Sequence, residues 1–151
     1  MCGICGELRF DGQAPDQGVL HTMTQQLARR GPDDSGQYLS GPVALGDRRL
    51  AVIDLSARAS QPMVDEANGL ALVFNGTIYN YPELRKTLQL KGHEFSSSGD
   101  TEVILKAYAE WGEDCPEHLL GVFAFAIWDS RRQQLFLARD RFGIKPLYYT
   151  T

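Results

Sequence analysis

An α+β domain, with a largely antiparallel sheet packed against helices, is the fold class the sequence predicts. Three observations lead there. "GVFAFAIWD" and "LFLARD" are joined by "DSRRQQ", which reads as a hairpin. Most other strand-like stretches are also joined by hairpins or short turns, not by repeated helical crossovers. Three further segments carry apolar residues on one helical face, so each needs a partner surface to cover. At 151 residues the chain suits one domain with a sizeable core.

The elements follow in order. Cys5 to Phe10 reads as a strand, with a turn at Asp11-Gly12. Asp16 caps a helix whose apolar face is Val19, Leu20, Met23 and Leu27. "RRGPDDSG" (Arg29 to Gly36) has the Gly, Pro, Asp and Ser density of a loop. Strands are expected at Val43 to Asp54 and Leu70 to Asn75. A helix starts near Pro82, a good first-turn residue, and stops at Gly92. Another is capped by Asp100, places Val103, Ile104, Ala107, Tyr108 and Trp111 on one face, and ends at Gly112. The hairpin after it is apolar enough to be buried on both faces. The last residues, "PLYYTT", are strand-like, so continuation into a longer protein is expected.

Composition excludes several classes. The net charge of −4 gives no electrostatic footprint for nucleic acid. No stretch approaches the roughly 20 apolar residues of a membrane span. No basic segment followed by an apolar one marks a signal peptide. Three cysteines, an odd number, argue against a disulfide framework and fit a reducing cytoplasm.

The chemistry begins with "MCGICG". Termini are usually the least ordered part of a domain, so a cysteine at position 2 is an odd structural choice. Removal of Met1 would leave Cys2 with a thiol and a free α-amine. That amine titrates near 7.7–8.0, roughly, and can take the thiol proton directly or through one water. The alternatives are a buried small hydrophobe, or a Cys2–Cys5 redox or zinc pair, for which no second ligand pair exists at the right spacing. In "FNGTIYN", the Asn75 amide and Gly76 N–H can serve as two donors to an oxyanion, or simply form an Asn-Gly turn. In "GDRRLAVID", one arginine can grip a carboxylate in a forked contact, or both can be solvated. In "SSGDTEVIL", Asp100 caps a helix or holds an ammonium. Together these groups suit an α-amino acid with a side-chain amide, glutamine or asparagine.

Those pieces, with "RGPDDSG", "RRLAVIDLS", "QPM", "GDTEVILKAY" and "RDRFGIKPLYY", cover essentially the whole chain. They resemble the class II glutamine amidotransferases, and above all the glutaminase domain of glutamine-hydrolysing asparagine synthetases. "MCGICGELRFDG" is similar to the amidotransferases that form N-acetylglutaminylglutamine amide. The resemblance implies an N-terminal-nucleophile fold, a four-layer αββα sandwich of two antiparallel sheets between helices. It implies Cys2 as nucleophile and Asn75 with Gly76 as the oxyanion hole. Arg49 would bind the glutamine α-carboxylate, with Leu50, Ala51, Val52 and Ile53 lining the same pocket. Asp100, with Gly99 and Thr77, would hold the α-amino group. No metal or cofactor is implied for this half. ATP and Mg²⁺ are expected for a synthetase domain, absent from residues 1–151, to which ammonia would pass. A homodimer is one assembly the resemblance allows.

Two departures stand out. Many synthetases carry Glu where this chain has Thr77, so Asp100 would face the ammonium without a second charge. The family's glutaminase domain also runs further than this chain, which reads as cut short at its C-terminus. Two rival readings are a non-catalytic glutamine-binding domain that keeps Met1, and a redox dithiol module.

Overall fold

The computed structural model describes all residues from Met1 to Thr151. Seven strands form two fully antiparallel sheets. β1 (Gly3–Leu8), β2 (Asp34–Ser40) and β3 (Val43–Arg49) make the first, in the order β1-β3-β2. β4 (Met63–Asp65), β5 (Leu70–Ile78), β6 (Gly121–Asp129) and β7 (Gln134–Arg139) make the second, in chain order. Four helices, α1 (Gln17–Gln26), α2 (Tyr81–Leu90), α3 (Asp100–Trp111) and the short α4 (Cys115–His118), complete the chain.

Strand alternation builds the layers. Val43 and Leu45 of β3 meet Ala71 and Val73 of β5 and Ala126 and Trp128 of β6, forming an apolar slab between the sheets. On the outer face of β5 and β6, Leu72, Phe74, Phe123, Phe125 and Ile127 pack on Leu84 and Leu88 of α2 and Val103, Ile104 and Ala107 of α3. Each large side chain removed from water there contributes roughly 1.5–3 kcal/mol. α1 covers the outer face of the first sheet, with Leu20 and Thr24 over Gly46. The order is helix, sheet, sheet, helix, as the resemblance implies.

The details correct several expectations. The first strand begins at Gly3 and ends at Leu8, leaving Phe10 exposed. Asp16 does cap α1, accepting from Gly18 N at 2.7 Å and Val19 N at 3.0 Å, but Val19 itself is exposed and Thr24 takes its place in the buried stripe. "DSGQYLS" (β2) and "MVD" (β4) are strands that short polar segments did not announce. β3 stops at Arg49, and residues 50–54 form a loop instead of continuing it. β5 runs on to Ile78. The cap position of α3 belongs to Gly99; Asp100 is the first helical residue and its carboxylate turns away to β5. β6 is buried on both faces, whereas β7 is an edge strand with partly exposed residues. "PLYYTT" forms no strand, and Tyr148 and Tyr149 stand exposed.

Candidate active site

The slab between the sheets is apolar at one end and polar at the other. Along β3 the inward positions read Val43, Leu45, Asp47, Arg49, because the side-chain period is two. β1 runs antiparallel with Ile4 opposite Asp47, so Cys2 falls on that same inward face. Along β5 the inward series is Ala71, Val73, Asn75, Thr77. The polar end opens into a cavity of about 150 Å³. Cys2, Arg49, Leu50, Val52, Ile53, Asn75, Gly76, Thr77, Gly99 and Asp100 all line it. Ala51 is the one predicted position outside; its N–H is tied to the Asp33 carboxylate at 2.9 Å.

The Cys2 thiol is half-buried, and the Leu50 N–H donates to its sulfur at 3.4 Å. Burial pushes this thiol up; the Leu50 N–H opposes that, and the buried Asp47 adds to it. Met1 lies across the cavity wall, its own α-amine donating to the Arg30 carbonyl at 3.2 Å. Arg30 in turn donates from Nε to the Cys2 carbonyl at 3.2 Å. Cys5 leaves β1 on the opposite face, its sulfur 3.6 Å from Thr24 Oγ1 under α1. The two thiols of "CGIC" therefore point apart, which removes the geometric basis for a dithiol pair.

The oxyanion donors arise from an unfinished sheet edge. β4 stops at Met63, opposite Leu72, so β5 continues without a neighbour on that side. The same register places Gln61 opposite Phe74, and Gln61 Oε1 accepts the Phe74 N–H at 2.6 Å. Two positions further from Gly76, the Ile78 N–H is taken by Asp100 Oδ2 at 2.9 Å. Backbone N–H groups alternate sides along a strand, so the Gly76 N–H points the same way as these two. It faces the cavity between them. A side chain at Gly76 would strike the Val122 carbonyl and Phe123 of β6, which is why glycine stands there. Asn75 is 5 % exposed and its Oδ1 has no hydrogen-bond partner. Its amide is thus uncommitted beside the nucleophile.

Arg49 is 7 % exposed and fixed by the loop that ends β3. It donates to the Ser56 carbonyl at 3.2 Å and to the Asp54 carbonyl. Asp54 ties that loop to the entry of α3, accepting from Ser98 N at 2.7 Å and from Ser56 N at 2.8 Å. Hydrogen bonds from Ser56 and Ser98 hold the Asp54 carboxyl well below the usual carboxylate range. Arg48 points to the other face and donates to the Gly31 carbonyl at 3.1 Å. Asp100 is pushed up by burial, against backbone donors led by Ile78. The cavity thus offers a thiol, an amide–N–H pair, a cation and a carboxylate around one small volume. That is the donor set a glutamine side chain and its α-groups require.

Gln61, Thr101 and Lys145 also line the cavity, and the residue-level reading gave them no role. "QPM" and "RDRFGIKPLYY" contain two of them, but neither motif by itself says which side chain turns inward. Asp47 was missed as well. It is fully buried, both its oxygens lack partners, and burial together with Asp34 pushes it up to about 7.

Comparison with known proteins decides the family, because the whole chain, residues 1–151, matches the glutamine amidotransferase domain family. The chain belongs to that family. It is 46% identical over 99% of its length to asparagine synthetase [glutamine-hydrolyzing] 3 of Bacillus subtilis, covering 25% of that protein. It is 43% identical over 100% of its length to asparagine synthetase [glutamine-hydrolyzing] 1 of the same organism, covering 24%. The chain thus spans about a quarter of these curated relatives. Among solved structures, the glutamine phosphoribosylpyrophosphate amidotransferase from B. subtilis superimposes with a TM-score of 0.54 at 25% identity, over 68% of this chain and 24% of that one. The amidotransferase domain has no helix long and apolar enough to cross a membrane.

Proposed function

We propose that this amidotransferase domain hydrolyses the side-chain amide of L-glutamine to glutamate and ammonia, with Cys2 as nucleophile. The observation that carries the reading is the shared cavity of Cys2, Asn75, Gly76, Arg49 and Asp100. Arg49 grips the α-carboxylate and Asp100 the α-ammonium, with Gly99 and Thr77 beside it, leaving the amide carbon at the thiol. With Met1 removed, the α-amine of Cys2 takes the thiol proton. The thiolate adds to the amide carbon, and Asn75 Nδ2 with Gly76 N–H stabilise the oxyanion. The protonated amine returns its proton to the departing nitrogen, and ammonia leaves a thioester on Cys2. Water then adds to the thioester carbon, giving one proton to the amine. Collapse expels the Cys2 sulfur, which recovers that proton, and glutamate dissociates. The sum is glutamine plus water to glutamate plus ammonia.

In the complete protein the ammonia would pass to a synthetase domain that activates a carboxylate with ATP and Mg²⁺, giving an amide. No residue of this domain is assigned to ATP or metal. The acceptor is free aspartate or a peptide-like carboxylate: "MCGICGELRFDG" is similar to the enzymes forming N-acetylglutaminylglutamine amide, while the curated relatives are named asparagine synthetases. The odd cysteine count fits a reducing, cytoplasmic setting, and a homodimer is one assembly the family resemblance allows.

The test is an intact mass spectrum of the full-length protein, before and after a diazoketone analogue of glutamine. Loss of Met1 and a single adduct on Cys2 are expected. Met1 retained with Cys2 unlabelled would leave a glutamine-binding domain without catalysis.

A further inference from the structure

Lys145 is a buried cation for which the reaction described above has no use. It is 8 % exposed and lines the cavity with Cys2. It takes part in no salt bridge, unlike Lys106, whose ammonium meets Asp65 at 2.8 Å. A buried charge without a counter-charge is costly, so something must hold it there. The loop after β7 does so. Asp140 Oδ2 accepts the Lys145 N–H at 2.9 Å and the Phe123 N–H at 3.2 Å, and Asp140 Oδ1 accepts the Ile144 N–H at 2.9 Å. The Asp140 N–H donates back to the Phe123 carbonyl at 2.8 Å. Phe123 is the β6 residue opposite Gly76. One carboxylate therefore bolts the Lys145 backbone to the strand position that faces the oxyanion donor.

The ammonium itself lies against the Met1 thioether. That sulfur is a short covalent path from the backbone nitrogen of residue 2. When Met1 is cleaved, the thioether goes, and the nitrogen becomes a free amine at the cavity that Lys145 also lines. The other charges round the cavity do not replace this one. Arg49 is oriented by the Asp54 and Ser56 carbonyls and Asp100 by the Ile78 N–H, each toward the α-group assigned to it above, while Asp54 is held by Ser56 and Ser98. Arg30 reaches Cys2 only through its carbonyl, at an exposed site, and Asp47 lies on β3 behind the thiol.

We propose that Lys145 is a positioning residue for the nucleophile, its buried ammonium lying against the new α-amine of Cys2 and keeping that amine unprotonated. A like charge in a partly desolvated site disfavours a second ammonium, so the amine is available as a base at lower pH than in a free peptide. This rests on the glutaminase reading and on removal of Met1.

The experiment compares full-length wild type, Lys145→Met and Lys145→Arg. Two quantities are read against pH: glutaminase kcat/KM, and the rate at which trace acetic anhydride acetylates the Cys2 α-amine, followed on the N-terminal peptide by mass spectrometry. Lys145→Met keeps the length and apolar stem of the side chain. Its acidic limb should move up by about one pH unit in both profiles, with acetylation near pH 7 slowed about fivefold. Lys145→Arg should restore the wild-type limb. Activity lowered equally at every pH, with the limb and acetylation unchanged, would reduce Lys145 to a structural residue and overturn the proposal. Wild type that is inactive with Met1 retained overturns the glutaminase reading and this one together. Wild type that is active, with the Lys145→Met profiles superimposed on it, overturns this one alone.

Discussion

Arg48 and Arg49 are adjacent and equally charged, yet strand alternation sends them to opposite faces of β3. Arg48 reaches the Gly31 carbonyl in the loop that follows α1, and Arg49 reaches into the cavity. Arg49→Ala should raise the glutamine KM roughly 100-fold, in keeping with loss of a buried, forked charge contact. Arg48→Ala should change it less than about threefold. Steady-state kinetics on both variants checks this, and equal effects would remove Arg49 as the carboxylate grip. At this scale the sequence was informative wherever chemistry demands a rare residue. A cysteine at position 2, an Asn-Gly pair and an Arg followed by an apolar run each stand out in the chain. Gln61 and Lys145 did not, because a buried amide or ammonium looks in sequence like any surface one. Their role depends on a register and a loop that only the fold supplies.

The element that shapes the oxyanion pair is β5, and what shapes β5 is the early end of β4. Beyond Met63 the ladder is continued by one side chain, Gln61, whose Oε1 stands where a backbone carbonyl would. Gln61→Leu removes that acceptor and leaves the buried Phe74 N–H unpaired, at a cost of about 1–3 kcal/mol. The next donor along that edge is Gly76 N–H, so the strain falls on the catalytic strand. We expect kcat to fall at least tenfold with KM changed little, because the glutamine α-groups are held by other elements. Gln61→Glu keeps an acceptor oxygen and should recover most of the rate. A KM effect as large as the kcat effect would place Gln61 in substrate binding instead. The hairpin β6–β7 and helices α2 and α3 were readable because apolar period and turn residues agree. β2 was not, since "DSGQYLS" reads as loop chemistry and becomes a strand only by pairing with β3. The expected strand through Asp54 failed for a functional reason: the chain leaves the sheet at Arg49 and wraps its carbonyls around that guanidinium.

Across the whole molecule, two sheets share one inner layer, and the site is where that layer changes from apolar to polar. The change is not free. Asp47 sits fully buried in it with both oxygens unpartnered, near Asp34 on β2 and the β3 arginines. Its carboxyl is pushed up to about 7 from an ordinary value near 3.8. In the unfolded chain Asp47 releases its proton near pH 4, while the fold retains it until about pH 7. Through that window the folded state binds more protons than the unfolded state, so stability contributed by this group falls as pH rises. Above pH 7 the loss is complete and constant, on the order of 4 kcal/mol. Asp47→Asn carries no such titration. Urea unfolding of wild type and variant at pH 5 and pH 8 should therefore show a larger advantage for Asp47→Asn at pH 8. A difference between the two proteins that does not change with pH would mean Asp47 is ionised throughout, balanced by Arg48 and Arg49. The expected result would mean instead that the fold keeps a neutral carboxyl behind Cys2 at pH values below about 7. That arrangement spares the thiolate a neighbouring negative charge, because an ionised Asp47 pushes the Cys2 thiol up further. The stability forgone by burying an acid between the sheets would then be tied to the reactivity of the nucleophile in front of it.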